Sequence, residues 1–320
     1  MINNSNKKIL ITGSSGFIGR SLDKYLTKKG YTIYRLDNNS RQNNNYSFKG
    51  SIFNKKILLK IVSKVDIIIH LAAINGTRNF YNRPKDVFET SFRGILNLYD
   101  VIKEVGFKKK VIIASSGEVY GTPKKIPTPE NSEMIIKNIN NNRNSYGGGK
   151  ICQDLAARFL ISDIVESCVV IRPHNVYGAN MGYDHVIPEI FLKILKSKNN
   201  KIKIEGSGKE TRSFCHIDDF LVAIEKLIKK KLSGFDIYNI GNNKEMQIIE
   251  VIKQISQLCK KNIIIKKAKL RNGSVLRRKP NLNKIFKVGY KPTVNLKKGL
   301  EDFIKNDEKI KPLFLAEVVE

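Results

Sequence analysis

Tryptophan is absent from this chain of 320 residues, and cysteine, histidine and methionine occur only four times each. Cys152, Cys168, Cys215 and Cys259 stand far apart without a Cys-x-x-Cys pair, and the histidines do not cluster. Neither a disulfide framework nor a metal site is therefore expected. Long apolar runs are missing as well. The stretch Ile67 to Ala73 is broken by His70 and is far shorter than the roughly 20 residues of a membrane helix. Met1 to Lys8 is polar, which argues against a secretory signal. These absences lead us to expect a soluble protein of a reducing cytoplasm with no membrane partner.

Acidic residues are scarce too, 29 against 58 lysines and arginines, for a net charge of +29. Such a surplus would suit a nucleic-acid binder. The lysines, however, are scattered and travel with asparagine and isoleucine, as around Asn43 to Asn45 and Asn140 to Asn142, and no basic run is interleaved with aromatics. A general compositional bias explains this pattern, and no nucleic-acid partner is expected.

What is present is an ordinary share of apolar residues, 41%, in a chain long enough to bury a large core. Short apolar runs alternate with helical periodicity: a strand Lys8 to Thr12, a helix from Phe17, and a strand Tyr31 to Leu36 ending on Asp37. A helix near Lys55 to Ser63, a strand Asp66 to His70, a long helix Pro84 to Val105, a strand Lys110 to Ser115, a helix Tyr146 to Ile161 and a strand Ser167 to Ile171 follow. That alternation specifies an α/β fold, a doubly wound parallel (Rossmann) sheet. Beyond Arg172-Pro173 the pattern changes to helices near Val186 to Lys196, Asp218 to Lys230 and Gln247 to Lys260 between short strands. The expected organisation is a dinucleotide-binding domain over residues 1–173 and a smaller α+β substrate domain over 174–320, with some later segments returning to the first.

Two constellations carry chemistry. Gly13-Ser14-Ser15-Gly16-Phe17-Ile18-Gly19 lies between a strand and a helix, where glycine lets the backbone approach a pyrophosphate and the helix N-terminus faces the anion. Asp37, at the end of the second strand, stands where a carboxylate accepts bonds from the adenosine ribose and repels a 2'-phosphate, so NAD is favoured over NADP. Arg35 points to the other face of that strand. The second constellation is Tyr146-Gly147-Gly148-Gly149-Lys150. On a helix it sets phenol and ammonium on one face, where the cation favours the phenolate. Three glycines there cost the helix about 1 kcal/mol each relative to alanine. Close packing of cofactor or substrate against that turn is the expected compensation. Ser116, just after a buried strand, is placed to hydrogen-bond a reacting oxygen. A proton-transfer pair beside a hydride carrier points to a nicotinamide-dependent enzyme acting on an alcohol or ketone.

Taken with His70-Leu71-Ala72-Ala73, Ser115-Ser116-Gly117-Glu118-Val119-Tyr120-Gly121, Arg172-Pro173-His174-Asn175-Val176-Tyr177-Gly178 and Thr211-Arg212-Ser213-Phe214, these motifs make the chain resemble the extended short-chain dehydrogenase/reductases, in the NAD-dependent nucleotide-sugar epimerase/dehydratase family of UDP-glucose 4-epimerase-like proteins. The resemblance implies that Gly13, Gly16, Phe17, Ile18 and Gly19 hold the pyrophosphate and Asp37 the ribose. Ser51 and Ile52 would meet adenine, although the family commonly has aspartate where Ser51 stands. Leu71, Ala72 and Ala73 would pass under the cofactor, with Pro173 beside it, and Lys150 would bind the nicotinamide ribose as well as tune Tyr146. Asn175, His185, Val186 and Arg212 would meet a nucleotide-diphosphate sugar, with Arg271 or Arg277 closing over it. A homodimer through the helices Pro84 to Val105 and Tyr146 to Ile161 is also implied.

Within such a family the shared step is oxidation of the sugar at C4, with Tyr146 as base. Dehydratases usually carry an Asp-Glu pair after the catalytic hydroxyl and decarboxylases commonly a Ser-Glu pair. This chain has Gly117-Glu118. Glu118 could serve as a base, but no acid stands at 117 to protonate a leaving hydroxyl. A 4-epimerase is the leading expectation, with 4,6-dehydratase, glucuronate decarboxylase and 4-dehydrogenase as alternatives and an NAD-binding sensor as the non-enzymatic one.

Overall fold

The structure, a computed structural model, describes residues 7–40, 44–270 and 273–319. Strands β1 (Lys8–Thr12), β2 (Thr32–Asp37), β3 (Ser47–Lys49), β4 (Ile67–His70), β5 (Lys110–Ala114), β6 (Ser167–Pro173) and β7 (Gly234–Ile240) form one sheet in the order β7-β6-β5-β4-β1-β2-β3. Every pairing in it is parallel. The chain reverses its direction of growth between β1 and β4, and the crevice beyond the carboxyl ends of strands at such a switch point is where sheets of this kind hold ligands.

Parallel strands are covered on both faces, which is why β4 and β6 read as continuous apolar runs rather than alternating ones. Successive side chains of β1 part to opposite sides. Ile9 and Ile11 pack with α1 (Phe17–Lys28), which contributes Leu22 and Leu26, while Leu10 faces α2 (Lys55–Val62). After a short helix α3 (Thr77–Asn82), α4 (Pro84–Val105) starts on a proline and stops at Gly106, whose φ of 68° supplies the left-handed residue that closes a helix. It lies alongside α5 (Asn144–Ala156), whose last turn widens into a π-helical turn at Ala157–Ile161. The later half builds a third core around α6 (Val186–Leu195), in which Phe191 stacks on Phe303 at 5.3 Å.

Two segments beyond residue 173 belong to the first sheet. β7 extends it beside β6, and α7 (Ile217–Lys229) packs on the same face as α1 through Phe220, Ile224 and Leu227. Residue 173 thus divides the sequence but not the sheet. The return of later segments was expected; the short strand β3, at the end of the Asn-rich stretch, was not among the strands read from the sequence.

The cleft side of the sheet is fastened by one ion pair. Arg172 at the end of β6 and Asp154 on α5 are 2% and 3% exposed, and Asp154 Oδ2 accepts from both Nε and Nη2 of the guanidinium, at 3.0 and 2.8 Å. Nη1 goes to the Tyr120 hydroxyl at 2.8 Å and the Glu130 carbonyl at 2.9 Å. Removing one partner of such a pair strands the other as an uncompensated buried charge. Asp154→Ala should therefore lower the unfolding free energy by about 3 to 5 kcal/mol in urea titrations. An unchanged midpoint would show that this pair does not hold the two elements.

Candidate active site

A cavity of about 1840 Å³ opens above the carboxyl ends of β1, β4, β5 and β6 and runs across to α6. One half is the glycine loop. Gly13 holds φ +72°, and a methyl group at Gly19 would stand 2.2 Å from the Gly13 carbonyl oxygen, so the loop folds tightly onto the start of α1 and admits no side chain at that position. Asp37 Oδ2 accepts from the Ser15 amide at 3.0 Å and Oδ1 from Asn39 at 2.8 Å. These bonds fix the carboxylate at the edge of the loop. Arg35 is turned away and pairs with Asp23. Backbone amides at a helix start with an acid beside them form a cradle fitted to the pyrophosphate and ribose of a dinucleotide.

The other half is built on α5. Tyr146 is 7% exposed and stacks on Phe80 at 4.6 Å, and Lys150 is 2% exposed with Nζ 5.7 Å from the Tyr146 ring centroid. Lys150 Nζ donates to the Ala114 carbonyl at 2.6 Å and to Gln153 Oε1 at 2.8 Å. Burial, more than any neighbouring charge, sets the titration of both groups. It pushes Tyr146 up to about 12, with the Glu118 charge adding and the Ser116 hydroxyl opposing, and it pulls Lys150 down to about 8 against the Asp154 charge. The lysine charge alone does not lower this phenol as the sequence led us to expect, because desolvation disfavours the phenolate more strongly. A nicotinamide cation bound in the cleft would supply positive charge in the same direction as Lys150.

Ser116 plays two parts. Its hydroxyl accepts from the Glu118 amide at 3.1 Å, capping a short 3-10 turn at Gly117–Tyr120, and it also stands beside Tyr146. One glycine of α5 has a cause other than the ligand contact that was expected. A methyl group at Gly149 would lie 2.8 Å from Ser91 Cβ, so this glycine admits helix α4, whereas one at Gly148 would make only ordinary contacts with Ile136 and Phe88.

Glu118 is held by guanidinium groups. Arg278 grips both carboxylate oxygens, at 2.6 and 3.1 Å, and Arg143 approaches Oε1 at 3.4 Å. Against the cost of burial, the charges of Arg278 and Arg143 hold the Glu118 carboxyl down at about 2. Arg212 stands in the same cluster, lowered to about 10 by burial and by Arg278. Beside them the His174 ring lies flat over Gly117. A methyl group there would be 2.5 Å from its Cε1, so any side chain at 117 displaces the imidazole. His174 itself is kept neutral by burial, down at about 3.

The cavity collects most of the residues singled out from sequence: Gly13, Gly16 to Gly19, Asp37, Leu71, Ala73, Ser116, Glu118, Tyr146, Lys150, Pro173, Asn175, His185, Val186 and Arg212. Ser51, Ile52 and Ala72 are not part of its wall. Ser51 caps the Phe53 amide, and Ile52 is buried against α4 at Gly94. Arg271 lies outside the described residues. Arg277 is turned out to solvent and pairs with Glu245, whereas Arg278 lines the cavity. The two are neighbours on a strand, whose side chains alternate, so a shift of one residue exchanges the inner face for the outer. Arg143 and His174 were also missed. Arg143 sits in no such motif, and His174, although inside the motif from Arg172 to Gly178, shows its place over Gly117 only once the ends of β5 and β6 lie side by side. Among the described residues no group of three His, Cys, Asp or Glu side chains is placed to hold a metal ion, and no helix is long and apolar enough to cross a membrane.

A family model described as "NAD dependent epimerase/dehydratase family" matches residues 9–241. The chain is 32% identical to a dTDP-D-glucose 4,6-dehydratase of Dictyostelium discoideum, over 78% of its own length and 61% of the relative's, so it spans less than two thirds of that protein. It is 30% identical to a UDP-N-acetyl-alpha-D-glucosaminuronate decarboxylase of Bacillus cytotoxicus, over 93% of the chain and 97% of the relative. A similar solved structure is a UDP-glucose 4-epimerase of Thermotoga maritima with UDP-glucose, at a TM-score of 0.82 and 24% identity, covering 93% of this chain and 98% of that one.

Asp37→Asn keeps the shape of the cradle and removes its charge. It should weaken NAD binding and narrow the preference over NADP, because repulsion of a 2'-phosphate goes with the carboxylate. Fluorescence titration with both dinucleotides measures this, and an unchanged ratio of affinities would remove Asp37 from the ribose site.

Proposed function

The chain belongs to the NAD dependent epimerase/dehydratase family, and within it we propose that the protein is a 4-epimerase of a nucleotide-diphosphate sugar. It is an NAD-dependent enzyme of the nucleotide-sugar epimerases, dehydratases and decarboxylases. NAD held by the loop from Gly13 to Gly19 and by Asp37 would supply reversible hydride transfer at C4. Tyr146 takes the proton of the 4-hydroxyl, Ser116 hydrogen-bonds the same oxygen, and Lys150 steadies the phenolate. The 4-keto sugar then turns over in the cleft, is reduced on its other face, and recovers its proton from Tyr146.

The observation that carries this reading is the pairing of Gly117 with His174 and of Glu118 with two arginines. Elimination of water needs a base for the C5 proton and an acid for the leaving hydroxyl. The imidazole lying over Gly117 leaves no space for an acid, and it is itself neutral near pH 7. Glu118, held at about 2, is a feeble base. Oxidation and re-reduction at C4 ask for neither.

A second reading, decarboxylation, is favoured by the cluster of Arg143, Arg212 and Arg278 around the single carboxylate of Glu118. A sugar bearing a carboxylate at C5 would find excess positive charge there, and a 4-keto uronate loses carbon dioxide as a β-keto acid without a base. A homodimer is supported by the outward face of the α4–α5 pair, where Phe88, Phe92, Leu155 and Phe159 are 38% to 64% exposed.

Tyr146→Phe should lower turnover by at least about a hundredfold while NAD still binds, since the phenol is the only proton carrier the step uses. Near-wild-type activity would unseat Tyr146. Glu118→Gln separates the outcomes. A 4-epimerase should lose less than about tenfold, whereas removal of a working base costs on the order of 100- to 10,000-fold. Wild-type enzyme given a panel of nucleotide sugars and glycuronates should return a product of unchanged mass and inverted C4 by NMR. Loss of carbon dioxide would establish the second reading, and loss of water would overturn both.

A further inference from the structure

Behind the cavity a line of buried polar groups is left without a task by the reaction. Thr12 ends β1 and His70 ends β4, and Gln153 lies on α5 three residues after Lys150; none is more than 1% exposed. Gln153 Oε1 accepts from Lys150 Nζ at 2.8 Å, Gln153 Nε2 is 3.3 Å from His70 Nε2, and His70 Nδ1 is 2.8 Å from Thr12 Oγ1. An ammonium group only donates, so the carbonyl end of Gln153 has to face Lys150 and its NH2 end has to face His70. A donor there requires a bare Nε2. The neutral imidazole therefore carries its proton on Nδ1 and gives it to Thr12. Burial keeps His70 neutral, as this arrangement demands. Every orientation along the line follows from the charge at its end.

We propose that Gln153 is a positioning residue, whose amide, fixed by His70 and Thr12, holds the Lys150 ammonium in place against Tyr146. Two of the three N–H bonds of an ammonium are thus spent on Gln153 and Ala114, and the last is left for the cavity side. Asp154 on α5 acts on Lys150, Lys150 in turn acts on the neutral His70 of β4, Glu118 on its turn acts on Tyr146, and Arg172 of β6 takes up the Asp154 carboxylate. Gln153 adds an acceptor without adding a charge, so it retains the lysine's proton without repelling a phenolate. A lysine already drawn down toward neutrality by its burial responds sharply to losing one acceptor.

The inference rests on proton transfer by Tyr146 and Lys150, but not on the later fate of the keto sugar. Its test is therefore the pH dependence of single-turnover reduction of the bound nicotinamide, read by absorbance, a step common to epimerisation and decarboxylation. With nicotinamide bound, whose positive charge would favour the phenolate, the active form is phenolate with ammonium, and the profile falls at alkaline pH as the pair loses its last proton. Gln153→Leu removes the acceptor at similar size and should move the alkaline limb down by about one pH unit, the scale of a hydrogen bond to a charged group. Gln153→Glu should move it up, because a carboxylate holds the proton on Lys150. Limbs that stay in place, or that move together, would overturn the proposal even if both variants lost thermal stability. The wild-type protein gives a reading that no folding defect can obscure. Nitrogen NMR of histidine-labelled enzyme should find His70 as the Nδ1–H tautomer. The Nε2–H form would overturn the proposal, since the Gln153 carbonyl would then have to face His70 and not Lys150.

Discussion

A lysine ammonium buried almost completely beneath the cleft is the constraint around which the rest of this site is arranged. Lys150 cannot leave its charge in water, so its protons are taken up by Ala114 at the end of β5 and by Gln153 on its own helix. Those two bonds fix where α5 stands relative to the central sheet. Tyr146 follows, because four residues on a helix leave it on the same face. The close approach to α4 follows as well. Gly149 has to lack a side chain if the helix is to sit against Ser91 while carrying Lys150 to the strand end. Gly149, which in sequence is one of three glycines between the tyrosine and the lysine, is thus a packing consequence of where the lysine must be.

Charge is distributed between the cleft and the surface according to two different rules. On the outside, most of the +29 net charge belongs to lysines scattered over a solvated surface. Inside, every cation has a stated partner. Arg172 is neutralised by Asp154 and Tyr120, and Glu118 is gripped by Arg278 and approached by Arg143. Arg212 makes its bonds to the carbonyls of Thr211 and Leu276. Carbonyls do not cancel a full charge, so the substrate side of the cavity retains a positive surplus. In the proposed function the phosphates of a nucleotide-diphosphate sugar would meet that surplus, since guanidinium groups suit phosphate oxygens geometrically as well as electrically.

The same cluster explains how one family frame can host several outcomes. In the proposed reaction, oxidation at C4 would need only the α5 pair, the cofactor cradle and a hydroxyl from the end of β5. What happens next depends on the environment over C5, and here that environment is an imidazole lying on a glycine beside a carboxylate tied to arginine. His174 and Gly117 come from different strands, yet each dictates the other. The ring needs the space that only glycine leaves, and the glycine turn is covered only because the ring is there.

Much of this was determined by the sequence alone. The alternation of apolar runs with helical periodicity specified the parallel sheet, because strands covered on both faces must be apolar throughout. The glycine loop, Asp37, Ser116, Tyr146 and Lys150 were legible because their chemistry depends on local spacing: a strand end, a tight turn, or four residues on one helix. Tertiary structure alone decided the rest. That Arg278 and not Arg277 enters the cavity rests on the register of a two-residue strand. That β7 and α7 return to the first sheet, and that Arg143 and His174 converge on Glu118, depends on segments distant in sequence. That Tyr146 titrates high depends on how much water the closed fold removes. Spacing along a chain records which groups share a local element, but not which distant groups the fold brings within hydrogen-bond reach or how thoroughly it desolvates them.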